Sequence, residues 1–339
     1  MKNYFLESGY LDMRRMIEEN KTPFIVVLNG RGTGKTFGAL SYAVKSGQKF
    51  LLLRRTQTQA DLMRSDELNP FKAINRELHT SIFIKPINKY VSGVYNEETE
   101  EPVLIGYILA LSTFSSLRSF DLSDVTLSIY DEFIPEPHDK PFKNNSEGQA
   151  LLNFYESVNR NRELSGQEPL KLVLLSNTNT MYSPILEALG VLPTIERMKR
   201  RSQEFSQYRG LVSVYMPIDS PISAAKKATV LYRIANNGDF KKMSIENEFS
   251  TSDTEYIQSR PIKEFIPLVS AGTMIVYKHK SFDEFYVIEN KGGTQDYGQS
   301  KTEKMRFAKK YGYLYFKYIN GKVSFQSFSV KLMFEWYFT

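Results

Sequence analysis

One stretch constrains this chain more than any other: Pro-Phe-Ile-Val-Val-Leu-Asn-Gly-Arg-Gly-Thr-Gly-Lys-Thr, residues 23–36. Its apolar, β-branched start predicts a buried strand. The run breaks into a glycine-rich loop made of Asn29, Gly30, Arg31, Gly32, Thr33, Gly34, Lys35 and Thr36, and a helix-compatible segment, Phe37 to Lys45, follows. Strand, glycine-rich loop and helix in that order form the setting of a phosphate-binding P-loop. Backbone N–H groups of the loop and the helix N-terminus would cradle phosphate oxygens. Lys35 would reach the terminal phosphates, and the Thr36 hydroxyl would ligate magnesium. The pattern G-x-x-x-x-G-K-S/T is broken at its first position, where Asn29 stands. Asparagine tolerates left-handed backbone better than most residues, which would let the loop survive the change. A chance Gly/Lys turn is the competing reading of this stretch alone.

A second signature arrives with Thr-Leu-Ser-Ile-Tyr-Asp-Glu-Phe at 126–133, a β-prone run ending in two acids. In a chain with a P-loop, Asp131 fits the acid that holds magnesium, and Glu132 fits the base that polarises the attacking water. Adjacent strand residues point to opposite faces, so the turn after Tyr130 must aim both acids at the phosphate. Strands expected at Lys49–Arg55, 81–95 and 103–111 intervene between loop and acids. By fold-level analogy this suits P-loop NTPases with an inserted central strand and a catalytic glutamate. The apolar run 170–177 ends in Ser176-Asn177, where an amide can sense the γ-phosphate or simply make a turn. In Asn-Arg-Asn-Arg-Glu, 159–163, the arginines would complement a helix dipole or enter a neighbouring subunit's site as an arginine finger. Arg160 is the preferred finger and Arg162 the alternative. Leu164–Glu168 imitates the LSGGQ signature of ABC ATPases but follows the acid strand, so it reads as a loop. No N-K-x-D guanine signature occurs, which favours ATP.

Composition is globular, and with no cysteine among 339 residues disulfides and thiolate metal sites are excluded. Met1 to Lys21 is too charged for a signal peptide, and no run is apolar enough to span a membrane. A soluble intracellular protein is the expectation. Basic and acidic residues number 26 and 26 over 1–221, 5 and 4 over 222–253, and 13 and 8 over 254–339. The excess at the end points to a polyanion partner or to solubilising lysines. Domains are expected at 1–221 (ATPase), 222–253 (a linker subdomain) and 254–339 (smaller, α+β). In the last, Phe265–Tyr277 and Glu284–Glu289 read as strands and Lys301–Tyr311 as a helix. Tyr313–Ile319 and Lys322–Phe328 read as a hairpin around Asn320-Gly321. The lysines and arginine of 301–310 form a phosphate-binding face or a solvated one, and the aromatic tail stacks bases or builds a core.

Four blocks taken in order (NGRGTGKT at 29–36, the strand ending in Arg54-Arg55, IYDEF at 129–133, and NRNRE followed by LLSN) resemble the genome-packaging ATPases, or encapsidation proteins, of phi29-like phages. The resemblance covers nearly the whole chain. It implies an α/β fold: a P-loop NTPase of the additional-strand, catalytic-glutamate class with a mostly parallel sheet, a linker subdomain and an RNase H-like C-terminal domain. It implies ATP and magnesium as cofactors. Implied partners are double-stranded DNA, the portal (connector) of a procapsid, a structural prohead RNA, and a homomeric ring, pentameric in the family. The place of action would be the portal vertex in the host cytoplasm. Carried over by motif, Lys35 and Thr36 bind nucleotide, Asp131 binds magnesium, Glu132 is catalytic, and Arg160 is the trans finger. A two-metal nuclease needs clustered carboxylates. Only Glu289 and Asp296 present themselves, so a nuclease-like scaffold without nuclease activity is expected. The rival readings are a terminase large subunit with an active nuclease, and a nucleotide-gated DNA-binding assembly protein.

Overall fold

Thirteen strands and eleven α-helices are assigned in the computed structural model, which describes residues 4–97, 101–117, 120–135, 142, 147–178, 183–218, 220–234 and 256–338. The chain parts into two compact units, Met1–Glu248 and Phe249–Thr339. Within the first unit run α1 (Met13–Glu18), β1 (Phe24–Leu28), α2 (Lys35–Ser46), β2 (Phe50–Arg54), α3 (Gln57–Leu62), α4 (Lys72–Leu78), β3 (Ile82–Pro86), β4 (Ser92–Asn96), β5 (Val103–Ala110) and β6 (Leu127–Asp131). They continue as α5 (Glu147–Asn159), β7 (Lys171–Ser176), α6 (Pro184–Ala188), α7 (Leu192–Arg200), β8 (Phe205–Tyr208), β9 (Val212–Tyr215), α8 (Pro221–Lys226) and α9 (Val230–Ile234). Of the expected linker, 222–253, the helical part lies in this unit and 235–253 lie outside the described residues.

These strands form one nine-stranded sheet in the order β3-β4-β5-β2-β6-β7-β1-β9-β8. The six from β5 to β9 are mutually parallel, and β4, β3 and β8 add antiparallel edges. The central strands read as unbroken apolar runs because both faces are covered. Ile25, Val26, Val27 and Leu28 are fully buried, as are Leu51, Leu52 and Leu53. Each such side chain contributes about 1.5–3 kcal/mol by leaving water. The strand inserted between loop strand and acid strand is present, but its source differs from the one expected. It is β7, which follows the acids in sequence; β2 and β5 lie beyond β6. Parallel pairing needs a crossover, so chain order does not give sheet order. The β3-β4-β5 meander exists, and its last strand joins the parallel core beside β2.

The second unit is a smaller α+β body. Strands β10 (Phe265–Ala271), β11 (Met274–His279) and β12 (Phe285–Glu289) are antiparallel, and β13 (Val323–Phe325) runs parallel to β12. Helices α10 (Lys301–Ile319) and α11 (Phe328–Trp336) pack on them. The segment expected as one strand, 265–277, is a hairpin turning at Gly272. The hairpin expected around Asn320-Gly321 is absent: 313–319 continue α10 past a kink at Tyr311. Phe307, Tyr311, Leu314 and Tyr318 recur at helical spacing and meet the core. Asn320-Gly321 is instead a Schellman cap. Gly321 has φ +71°, its N–H donates to Tyr318 O at 2.9 Å, and Lys322 N–H donates to Lys317 O at 2.8 Å. Most of the tail's aromatic rings belong to this core. No helix among the described residues is long and apolar enough to cross a membrane.

Candidate active site

Strand β1 delivers the glycine-rich loop and α2 receives it at Gly34. Gly32 and Gly34 hold φ of +65° and +86°, backbone that a side chain would strain. Asn29 is fully buried and is absent from the left-handed residues, so its tolerance at a glycine position has another cause. Its amide Nδ2 donates to Pro217 O at 2.8 Å, tying the loop's start to the chain leaving β9. Lys35 folds back into the loop, donating to Gly30 O at 2.7 Å and Asn29 O at 2.9 Å. Its third partner is Asn177 Oδ1 at 3.1 Å, from the end of the inserted strand. Burial pulls the Lys35 ammonium down to about 7; Asp131 and Glu132 oppose the shift, while Lys226 and Arg31 add to it.

Thr36, in the first turn of α2, donates its hydroxyl to Asp131, with both carboxylate oxygens at 3.1 Å. Asp131 closes β6 two strands away. Burial raises its carboxyl pKa, against the pull of Arg54. Glu132 follows in the left-handed region, φ +55°. For a residue with a Cβ that conformation costs roughly 1–2 kcal/mol. It breaks the strand's alternation, and both acids reach one guanidinium: Arg54 Nη1 lies 3.0 Å from Asp131 and Nη2 2.5 Å from Glu132. Glu132 is 55% exposed, whereas Arg54 is 10% exposed. Ser176 Oγ accepts the Ile134 N–H at 3.3 Å, holding the acid turn against β7.

The structure thus brings together Lys35, Thr36, Asp131, Glu132 and Asn177 at the carboxyl ends of the parallel strands, where open α/β sheets bind ligands. Arg160 lies apart from them. It sits past the end of α5 with φ +46°, and Nη1 pairs with Asp121 at 2.9 Å on an exposed surface. Arg162 donates to Val125 O at 2.8 Å and to Ser123 O at 2.5 Å, bracing the turn before β6.

Three contributors escaped the sequence reading. Arg54 was visible as a residue but not as the clamp on both acids. The segment before α1 shows in sequence only that it is too charged for a signal peptide, yet Leu11 N–H donates to Thr33 O at 3.0 Å and Tyr10 lies over Gly34. A cleft of about 900 Å³ opens there, lined by Tyr10, Leu11, Gly34, Phe37, Gly38 and Ser41 among others. Lys226, at the end of α8, donates to Arg31 O at 2.5 Å. No local pattern announces a lysine that reaches back 195 residues.

The sheet order, with a strand between loop strand and acid strand, and the phosphate loop itself define a P-loop NTPase fold of the additional-strand class. The chain belongs to the podovirus DNA encapsidation protein (Gp16) family, whose model matches residues 6–316. It is 25% identical to the DNA packaging protein of Bacillus phage B103 and 24% identical to that of Bacillus phage phi29, over 239 residues and 69% of this chain. The matches span 66% and 64% of those two proteins. In fold, the chain is similar to one in the solved bacteriophage Phi-29 viral genome packaging motor assembly, with TM-score 0.69, 17% identity and 99% of each chain covered.

Proposed function

We propose that this protein is the ATPase of a viral DNA-packaging motor, hydrolysing ATP to translocate double-stranded DNA into a procapsid as a homomeric, pentameric ring. The observation that carries the reading is the convergence of groups far apart in sequence: Lys35 meets Asn177 at 3.1 Å while Thr36 meets Asp131 at 3.1 Å. Family membership directs that chemistry to packaged DNA. Work at the portal vertex in the host cytoplasm, with the portal protein and a prohead RNA as partners, belongs to the same proposal. So does the division into an ATPase domain (1–221), a linker subdomain (222–253) and a C-terminal domain (254–339).

The Thr36 hydroxyl and Asp131 carboxylate are hard oxygens already converged, a donor pair that fits magnesium, which would neutralise charge on the β- and γ-phosphates. Loop N–H groups and Lys35 bind the phosphates. The cleft beside Gly34 and Phe37 accepts the base. Glu132 leaves Arg54, accepts a proton from water, and orients that water on the γ-phosphorus. Asn177 shares Lys35 with the phosphates and so registers their departure. Arg160 of an adjacent subunit reaches the transferring phosphoryl group.

No nuclease activity is assigned to the second unit. Asp296, one of its two candidate acids, is engaged locally: it accepts from Ser270 N–H at 2.8 Å and Ser270 Oγ at 2.9 Å. The test is ATP hydrolysis by the purified chain with and without double-stranded DNA, alongside a nicking assay in magnesium or manganese. DNA-stimulated turnover without cleavage is expected. Robust cleavage, or ATP binding with no turnover in any condition including added portal, defeats the proposal.

A further inference from the structure

Helix α8 places a second lysine on the phosphate loop. The helix is anchored at its start: Ser220 Oγ accepts the Ser223 N–H at 3.4 Å, and Pro221 packs against Gly9 so closely that a Cβ there would lie 3.1 Å away. Its last residue, Lys226, bends over the loop tip. The ammonium donates to Arg31 O, and a methyl group on Gly32 would collide with it. Burial lowers its pKa, and no carboxylate among the described residues offsets that shift. Lys35 and Lys226 therefore bring two ammonium groups to one loop whose carbonyls, those of residues 29, 30 and 31, are their acceptors.

A neutral carbonyl is a poor exchange for the hydration a lysine gives up on burial, and a second ammonium beside Lys35 adds repulsion. Both costs are removed by an anion seated in the loop. The loop's ordinary ligand carries that charge, with the largest share on the terminal phosphate that Lys35 also reaches.

We propose that Lys226 is a second phosphate-binding lysine, supplied in cis by α8, which exchanges the Arg31 carbonyl for the terminal phosphate of a bound nucleoside triphosphate. The exchange deepens the reading of the loop as the ATP site and rests on it. It makes α8 responsive to the γ-phosphate: with the triphosphate bound, the helix is pinned to the loop through the ligand, and with the diphosphate it returns to the carbonyl.

The test is binding of fluorescent mant-labelled adenosine (β,γ-imido)triphosphate and mant-ADP to the full chain, wild type and the variants Lys226→Ala, Lys226→Met and Lys226→Arg. Replacement by alanine is expected to weaken the triphosphate analogue about 10-fold or more and ADP less than about 3-fold, the scale of one lost charge-assisted contact. Methionine, which keeps the apolar stem, should behave like alanine, and arginine should recover most of the loss. Unchanged or tighter triphosphate binding in both neutral variants overturns the proposal, as does equal weakening of the two nucleotides. If wild type and Lys35→Ala alike bind neither nucleotide, the ATP-site reading itself fails and carries this one with it. Should alanine unfold the chain, as thermal melting would reveal, the methionine and arginine variants decide the matter.

Discussion

Two arginine–acid clusters sit side by side at the end of β2, on opposite faces of the same sheet, and they behave differently. Arg54 faces the phosphate loop and clamps Asp131 and Glu132. Arg55, the next residue, faces the other layer. It pairs with Glu147 at 3.0 Å, with side chains 3% and 2% exposed, and Glu147 also accepts the Tyr130 hydroxyl at 3.1 Å. Strand alternation separates the two sets: Arg54 with Asp131 on one face, Arg55 with Tyr130 on the other. The inner cluster carries its charges in buried hydrogen bonds that join the end of β2 to β6 and α5. The outer one leaves Glu132 half in water, in strained backbone.

That contrast is easiest to break from inside. Glu147→Ala leaves Arg55 buried without its carboxylate, and loss of one partner of a buried pair costs about 3–5 kcal/mol. The expected result is a large drop in the chemical-denaturation midpoint; an unchanged midpoint would show that the inner cluster is not the structural one. A smaller stability effect and a large chemical one are expected outside. Glu132→Gln should melt within a degree or two of wild type while turnover falls roughly 10²–10⁴-fold, the usual contribution of a positioned base. Nucleotide binding should survive, as filter binding or fluorescence would show. Turnover intact in this variant would move the base elsewhere and favour a nucleotide-gated assembly protein.

Arg54→Ala probes the clamp directly. It removes the cation that offsets burial of Asp131, so a stability loss of about 1–3 kcal/mol is expected, smaller than for Glu147→Ala because water reaches this side. Turnover should fall as well, measured at saturating ATP. If Arg54→Ala destabilised more than Glu147→Ala, the two clusters would have to trade roles. The smallest stability effect belongs to Arg160→Ala, whose ion pair with Asp121 is solvent-exposed on both sides. Its melting temperature should not move, yet rings made only of this variant should hydrolyse little ATP, and mixing with an Arg160 donor should restore turnover. Arg162→Ala should instead loosen the turn at 123–125, whose carbonyls it holds. Failure of mixing, with Arg160→Ala as active as wild type, would end the trans-finger role.

The legible parts of this molecule were those written locally. A β-branched run that stops at glycines, or at two acids, specifies a strand and its end within a dozen residues, and β1, β2, β6 and β7 were found that way. Local signals misled where one short pattern serves two structures. Asn-Gly closes a hairpin or caps a helix, and only the apolar face of Phe307, Tyr311, Leu314 and Tyr318 against the sheet decides for the helix. Backbone freedom is the local account of Asn29, whereas in the fold its amide bonds to Pro217. The strand between loop and acids was expected from the wrong stretch because parallel sheets place sequential strands apart.

By itself the sequence determined the candidate groups: a loop of N–H donors with Lys35 and Thr36, two acids, a strand-end amide and paired arginines. Each is encoded by short-range propensity and by the need to bury apolar runs. Only the tertiary structure decided who touches whom. Arg54 rather than Arg55 faces the acids, the left-handed turn at Glu132 brings its carboxylate beside that of Asp131, and Lys226 arrives on the loop from a helix 195 residues downstream of Arg31. Those contacts depend on the order of strands in the sheet, a global outcome of packing and crossover geometry that no window of sequence contains.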